Sequence, residues 1–228
     1  MAVELTTVDG RRPAFLFALE HEAKIFRRHC PQADIHIIGI GAARAARNTQ
    51  RIIDNDRPPA IVLAGYSGAL RPGLKIGDVV IANRVSSLEP SAATLAPTLI
   101  LSRETGAILI GALLSAQELI GDPVQKKSLH DKFKADAVDL ESHAVATVCE
   151  HCRIPWAVVR VISDDVNTRL SPQVSRVIRD GQVSTGQVLK TVMFHPFCGL
   201  EFIRLAGHAA LARRALSQFL VRANSSAG

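Results

Sequence analysis

The sequence predicts a single α/β domain in three layers, α/β/α, around a central mixed, mostly parallel sheet. Short apolar runs of strand length, rich in Val, Ile and Leu, alternate along the chain with longer stretches of helical period. Glycines stand where several of those runs end, at Gly39 and Gly41 and again at Gly65 and Gly68, as expected where a strand hands over to a turn or helix. Strands and helices that alternate in this way bury a sheet on both faces. The 228 residues suffice for one sizeable core, and no linker, repeat or low-complexity tract divides them, so residues 1–228 are read as one domain.

Residues 13–19 read as the first strand, PAFLFAL, running into Glu20-His21-Glu22 and a short helix to Arg28. Residues 34–40 alternate and are rich in isoleucine, which predicts the next strand. It ends at Gly39-Ile40-Gly41, before an alanine-rich helix from 42 to about 55. Residues 60–64 read as a buried strand that breaks at Gly65-Tyr66-Ser67-Gly68. Arg71-Pro72-Gly73 is a turn, and Gly77-Asp78 opens a strand over 79–82. Residues 86–101 show no clear period and predict a loop with a short helix. Residues 107–116 are apolar enough for a central strand, 126–133 read as a helix, and Ala137-Val138 as a brief strand. A helix over 141–153 places Ala144, Val145, Val148 and Cys149 on its apolar side, and 155–162 form the last core strand. A C-terminal helix over about 196–221 carries an apolar stripe of Leu200, Ile203, Leu211, Leu216, Phe219 and Leu220.

Bulk properties exclude several classes. Hydrophobic residues make up 47% and charged residues 21%, ordinary for a globular protein in water. The apolar run 107–114, itself broken by Gly111, falls far short of a bilayer span. The opening MAVELTTVDG has no basic region leading into an apolar one, so no secretory signal is expected. Four cysteines without framework spacing suit a reducing cytoplasm. The net charge of +6 comes from scattered arginines, and only 4% of residues are aromatic, too few for a stacking platform; no nucleic-acid partner is expected. A mildly basic surface suits anionic substrates or anionic lipid heads as well.

The most informative stretch is Val138-Asp139-Leu140-Glu141-Ser142-His143, followed by Arg160-Val161-Ile162-Ser163-Asp164. It puts a carboxylate at the mouth of a helix, and an arginine and an aspartate at the far end of an apolar strand. Acid groups where strands of an open α/β sheet end are the usual makings of a ligand site. Glu22 falls at the same edge by the same reasoning. Isolated acids on loops are normally just solvated, but three of them meeting Arg160 at one sheet edge are harder to dismiss.

Other motifs have bland readings. Gly39-Ile40-Gly41-Ala42 offers backbone N–H groups to an anion, or is a plain strand-to-helix turn; the dinucleotide fingerprint lacks its third glycine. Gly65-Tyr66-Ser67-Gly68 departs from G-x-S-x-G, with Ala69 where a glycine belongs, which argues against a serine hydrolase. Cys149-Glu150-His151-Cys152 has metal or redox spacing but lies inside a helix with no second pair nearby, and reads better as buried helix cysteines. Eight histidines show no paired-ligand spacing, so no metal is expected.

Five stretches in order carry a resemblance: FALEHEA at 17–23, IGIGAARAA at 38–46, AGYSGALRPGLKIGDVVIA at 64–82, VDLESHAVA at 138–146 and VVRVISDD at 158–165. Together they resemble the nucleoside phosphorylase and nucleosidase superfamily, which cleaves N-glycosidic bonds of nucleosides. The start resembles methylthioadenosine/S-adenosylhomocysteine nucleosidases. The DLESHAVA wording, the segment LSPQVSRVIRDGQVSTGQVL, HPF and the long alanine-rich helix resemble the hopanoid-associated phosphorylases, and this second likeness runs nearly to the C-terminus.

The resemblance implies a phosphorylase/nucleosidase-like fold and a small nucleoside as partner. By it, Glu22 orients the attacking water or assists the ribose, Arg160 holds the nucleophile, and Asp164 is the acid at the purine edge. Glu141 accepts from the ribose hydroxyls, with Leu140 beneath the sugar in place of the usual methionine. Tyr66, Ser67 and Gly68 line the substrate, and residues 116–120 fall at the base, with Leu119 and Ile120 as wall residues. Tyr66 replaces the small hydroxyl residue of water-using nucleosidases, so water and phosphate both stay open as nucleophile. Gly41 and Arg44 are the candidates for phosphate, although Arg44 also reads as a helix-surface arginine. No cofactor is expected beyond phosphate as a co-substrate. The expected product is adenine, released from an adenosyl-hopanoid or from methylthioadenosine or S-adenosylhomocysteine; a non-catalytic nucleoside-binding module on the same fold is the rival from another class. A homodimer or higher homo-oligomer is expected, and the basic, apolar C-terminal helix is a candidate for peripheral membrane contact.

Overall fold

The computed structural model describes residues 11–99, 108–171 and 198–225. Seven strands and five helices are described: β1 Ala14–Phe17, α1 Glu20–His29, β2 Ile35–Ile37, α2 Ala42–Asp56, β3 Ile61–Ala69, β4 Val79–Ser87, β5 Ile108–Ser115, α3 Pro123–Phe133, β6 Ala137–Asp139, α4 Ser142–Cys152, β7 Trp156–Asp164 and α5 Cys198–Ser225. The sheet is mixed and mostly parallel, as the alternation predicts, with β6 antiparallel to β3 and β7 antiparallel to β4.

The sheet departs from an open one. Its order is β2-β1-β3-β6-β5-β4-β7, and β3 pairs with β7 as well, so β3, β6, β5, β4 and β7 close on themselves. Closure needs curvature, and the ladder supplies it through register shifts at Ser67/Gly68 in β3 and Ala82/Arg84 in β4. Strand β3 changes neighbours along one edge: Ile61 to Leu63 pair with β1, whereas Gly68 and Ala69 pair with β6. Between them, residues 64–67 have no strand on that side, and the site lies at this gap.

Two apolar layers cover the sheet. On one side Phe15, Phe17, Val62 and Val159 pack with Phe26 of α1 and Leu216, Phe219 and Leu220 of α5. On the other, Leu16, Leu63 and Val158 pack with Ala45, Ile52 and Ile53 of α2 and Val145 and Cys149 of α4. Consecutive strand residues thus point to opposite faces, and both are dry. A third cluster, with Leu114, Ala135 and Val138, seats α3. Helices α2, α3 and α4 each end on a left-handed residue, Arg57, Lys134 and Arg153, whose N–H returns to the last turn.

Several boundaries move from their expected places. Strand β3 runs straight through Gly65-Tyr66-Ser67-Gly68, because pairing with β7 holds the glycines extended. Strand β2 keeps only the middle of 34–40, and β4 continues to Ser87 alongside β5. Residues 88–99 hold turns and a bridge from Leu95 to Val85, with no helix among the described residues there. Of the C-terminal stripe, Leu216, Phe219 and Leu220 are buried, but Ile203 and Leu211 are 71% and 55% exposed. The side chain of Leu200, and the LSPQVSRVIRDGQVSTGQVL and HPF stretches from residue 172 on, lie outside the described residues. Among the described residues no helix is long and apolar enough to cross a membrane.

Candidate active site

Glu22 closes the gap in β3. It stands in the first turn of α1, where its Oε2 accepts from the Leu19 N–H at 2.8 Å and so caps the helix. Its Oε1 accepts from the Tyr66 N–H at 2.9 Å, at the point where β3 lacks a strand neighbour. One carboxylate therefore satisfies both a helix end and a sheet edge. Glu22 is 3% exposed, and burial raises its pKa against the opposing pull of Arg160 and the backbone N–H groups.

Arg160 lies beneath, fully buried in β7. Its Nε donates to Asp139 Oδ2 at 2.7 Å, and its Nη2 reaches the same oxygen at 2.6 Å, Ser142 Oγ at 3.3 Å and Glu141 Oε2 at 3.4 Å. Gly65 allows the arginine and Glu22 to approach: a Cβ there would collide with Arg160 Nη1 and fall 2.8 Å from Glu22 Oε1.

Asp139, to which the sequence reading assigned no role, anchors this group. Its Oδ1 accepts from Ser115 Oγ at 2.7 Å and from the Ser142 N–H at 3.2 Å, and Ser142 Oγ donates to its Oδ2. The strand-end aspartate thereby fixes the start of α4 as well as the arginine. Glu141 follows at the N-cap, with Oε1 accepting from the Gly41 N–H at 2.9 Å. Burial pushes its pKa up to about 7; Arg160 opposes this, Asp139 and Glu22 add to it, and the Gly41 N–H opposes it.

Asp164 stands across the cavity, at the end of β7. Ser163 Oγ donates to its Oδ1 at 3.0 Å, and Lys126 Nζ forms an ion pair with its Oδ2. Gly68 leaves room for it, since a Cβ there would be 2.9 Å from Oδ2. These groups surround a cavity of about 500 Å³ whose wall is mostly apolar and includes Leu119, Leu140, Leu170 and, from α5, Leu205, Ala206 and Ala209.

The structure brings Glu22, Glu141, Leu140, Tyr66, Ser67, Gly68, Leu119 and Asp164 to this cavity. It does not bring all of the expected residues there. Ile120 is buried with Leu114 and Ala116 and lines a separate cleft beside Leu88 and Gln117. Arg44 is exposed on α2, packed over Gly39, and Gly41 spends its N–H on Glu141, so these two form no phosphate cradle. Arg160 is not among the residues that line the cavity; its guanidinium is paired to Asp139 and reaches Glu141. The Tyr66 hydroxyl donates to the Ala209 carbonyl at 3.3 Å, directed at α5. Ser67 Oγ is buried on the cavity wall with no hydrogen-bond partner among the described residues. His21, whose ring lies 5.5 Å from that of Tyr66, has its pKa lowered by burial and by Arg213, so it is neutral near pH 7. In the helix pair, Cys149 is buried, with its thiol pushed up to about 12, and Cys152 is half-buried beside Gln50. Of the residues missed, Asp139 and Ser163 had no signal beyond their place inside a motif, and Lys126 had none at all.

A family model described as the phosphorylase superfamily matches residues 24–193. A 5′-methylthioadenosine/S-adenosylhomocysteine nucleosidase of Staphylococcus aureus (strain Newman) is 26% identical over 178 residues, covering 68% of this chain and 78% of that protein. The nucleosidase of that name from Bacillus cereus (strain B4264) is 24% identical over 197 residues, covering 67% and 85%. Among solved structures, the Helicobacter pylori 5′-methylthioadenosine/S-adenosyl homocysteine nucleosidase in complex with a pyrrolidine inhibitor superposes with a TM-score of 0.69 at 15% identity, over 93% of this chain and 97% of that one. Futalosine hydrolase of the same organism, strain 26695, gives 0.68 at 15% identity with the same coverage.

Proposed function

The chain belongs to the phosphorylase superfamily, and from that premise we propose that its cavity takes an adenosyl nucleoside and water and releases adenine. It is an enzyme that cleaves N-glycosyl bonds; its named relatives are nucleosidases. The observation that carries the finer reading is the grouping of Glu22 and Glu141 over Arg160, with Asp164 facing them across one apolar cavity.

Breaking the bond from ribose to purine builds positive charge on the sugar and negative charge on the base. Glu141 accepts from the ribose hydroxyls and, with Glu22, supplies fixed negative charge beneath the cationic sugar. Glu22 takes the proton of the attacking water. Its raised pKa makes it a better base, and backbone N–H donors, those of Leu19 and Tyr66 among them, hold it in place. Asp164 delivers a proton to N7 of the leaving base. Leu140 lies under the sugar, and the unpartnered Ser67 hydroxyl is a further contact for the nucleoside.

Two points favour water over phosphate. Among the described residues that line the cavity there is no lysine or arginine, and four carboxylates stand there: Glu22, Asp139, Glu141 and Asp164. A phosphate dianion would meet repulsion without a matching cation.

The 5′ substituent is read as bulky and apolar, as in an adenosyl-hopanoid. The VDLESHAVA wording supports this, as does the wall of Leu119, Leu170, Leu205, Ala206 and Ala209. The same helix α5 turns Ile203 and Leu211 outward near Arg204 and Arg214, a surface suited to an anionic membrane that carries such a substrate. Methylthioadenosine and S-adenosylhomocysteine are the second reading, supported by the names of the relatives.

The test is free adenine measured from an adenosyl-hopanoid, methylthioadenosine and S-adenosylhomocysteine, each with and without phosphate. Phosphate-independent release, fastest from the adenosyl-hopanoid, is expected. Adenine from none of the three would sink the reading, and liposome flotation without binding would remove the membrane surface.

A further inference from the structure

We propose that Lys126 is the proton source behind Asp164, so that the leaving base is protonated by a buried lysine–aspartate pair rather than by an isolated carboxylic acid. This rests on the nucleoside reading above. Lys126 stands in the first half of α3, and its side chain is 0% exposed. Its Nζ has two partners, Asp164 Oδ2 and the Asp165 carbonyl at 2.8 Å. It is absent from the cavity wall, whereas the Asp164 side chain is 12% exposed and lines it. The lysine therefore sits behind the aspartate, on the side away from substrate. The neighbouring carboxylate feels the Lys126 charge but is held elsewhere: Asp165 Oδ1 accepts from Thr168 Oγ at 2.7 Å and from the Asn167 N–H at 3.0 Å, which closes the turn after β7.

A buried ion pair is a weak device for stability, because apolar residues of similar volume often hold two elements together as well or better. A pair in which one oxygen faces a cavity, and whose cation is a lysine, has a chemical use. Lysine surrenders a proton in a buried site far more readily than arginine. As the C1′–N9 bond breaks, its electron pair passes to the purine. Asp164 gives a proton to N7 and receives one from the Lys126 ammonium, ending as carboxylate beside a neutral amine. Water adds to C1′ and yields its proton to Glu22. Glu22 then releases that proton to solvent and Lys126 regains one, so nothing is consumed but water. Lys126 touches no substrate and acts only through Asp164.

The experiment compares Lys126→Met with the unaltered protein on two substrates: an adenine nucleoside that the enzyme turns over, and p-nitrophenyl β-D-ribofuranoside, whose leaving group departs without a proton. Adenine release is expected to fall about 100-fold, while nitrophenolate release stays within about threefold. Asp164→Asn should show the same split. Equal losses on both substrates would reduce Lys126 to a structural tie, and no loss on either would remove it from the reaction; each overturns the proposal. If circular dichroism shows that Lys126→Met does not fold, a second variant remains. Lys126→Arg keeps the charge but does not give up a proton, so it should show the same split, and full adenine release by it overturns the proposal. Failure of the unaltered protein to release base from any nucleoside is a separate result, which refutes the nucleoside reading and the proposal with it.

Discussion

Arg160 and Asp139 meet at a single oxygen: guanidinium Nε and Nη2 stand 2.7 and 2.6 Å from Asp139 Oδ2, with both side chains 1% exposed. The site is built upward from this contact, since Asp139 also fixes the start of α4 and the Arg160 charge acts on both Glu22 and Glu141. Asp139→Asn removes the nearest of the guanidinium's counter-charges, in a place water does not reach, and leaves Glu141 at 3.4 Å as its remaining ion pair. A loss of about 3–5 kcal/mol is expected, read as a lower urea midpoint with an unchanged slope.

Glu22→Gln keeps the shape of the side chain but removes the base. Turnover is expected to drop about 10²–10⁴-fold. Binding of the nucleoside, followed by calorimetry, should survive, and equal loss of binding and turnover would argue that Glu22 only holds the loop.

Glu141 links the site to stability through pH. Its pKa is raised from 4.5 to about 7, so between those values the folded protein holds a proton that the unfolded chain has released. The stabilisation from this proton is full below about pH 4.5 and is lost as pH rises through about 7. Glutamine does not titrate. The melting temperature of Glu141→Gln relative to the unaltered protein should therefore rise steadily from pH 5 to pH 8, and a difference that is flat or falls with pH would contradict the burial of this carboxyl.

Gly65 and Gly207 predict opposite outcomes for one added methyl group. At Gly65 it would strike Arg160 and Glu22, so Gly65→Ala should destabilise by about 1–3 kcal/mol and abolish activity. At Gly207 in α5 none of the described residues lies within 4 Å of an added Cβ, and Gly207→Ala should stabilise by about 0.5–1 kcal/mol. Thermal unfolding of both variants checks the pair.

Ala206 lines the cavity from the exposed face of α5. Ala206→Trp should leave the fold intact and narrow the entrance. The kcat/KM for substrates with a bulky 5′ group is expected to fall about 10–100-fold, with a smaller change for methylthioadenosine. Equal losses on both would place the 5′ substituent elsewhere.

Much of this was legible in the chain itself. The placing of Glu22, Glu141 and Asp164 at strand ends follows from apolar runs that stop at polar residues, a local signal. The strand through Gly65-Tyr66-Ser67-Gly68 was not legible, because glycines read as breakers until a partner strand holds them extended. Arg160 was visible, but its role as support for the carboxylates depends on Asp139, twenty-one residues earlier in the chain. Lys126 resembles any helix-surface lysine in sequence; only the packing of α3 against the end of β7 buries it and places it behind Asp164.

The sequence by itself determined the α/β class, the order of the elements and the residue types at the sheet's edge. These depend on periodicity and on neighbours a few positions apart, and both are written along the chain. The tertiary structure alone decided that the sheet closes, that β3 leaves a gap for Glu22 to fill, and which carboxylate meets which cation. Those outcomes depend on contacts between residues tens of positions apart, in a dry interior where each buried charge must find a partner.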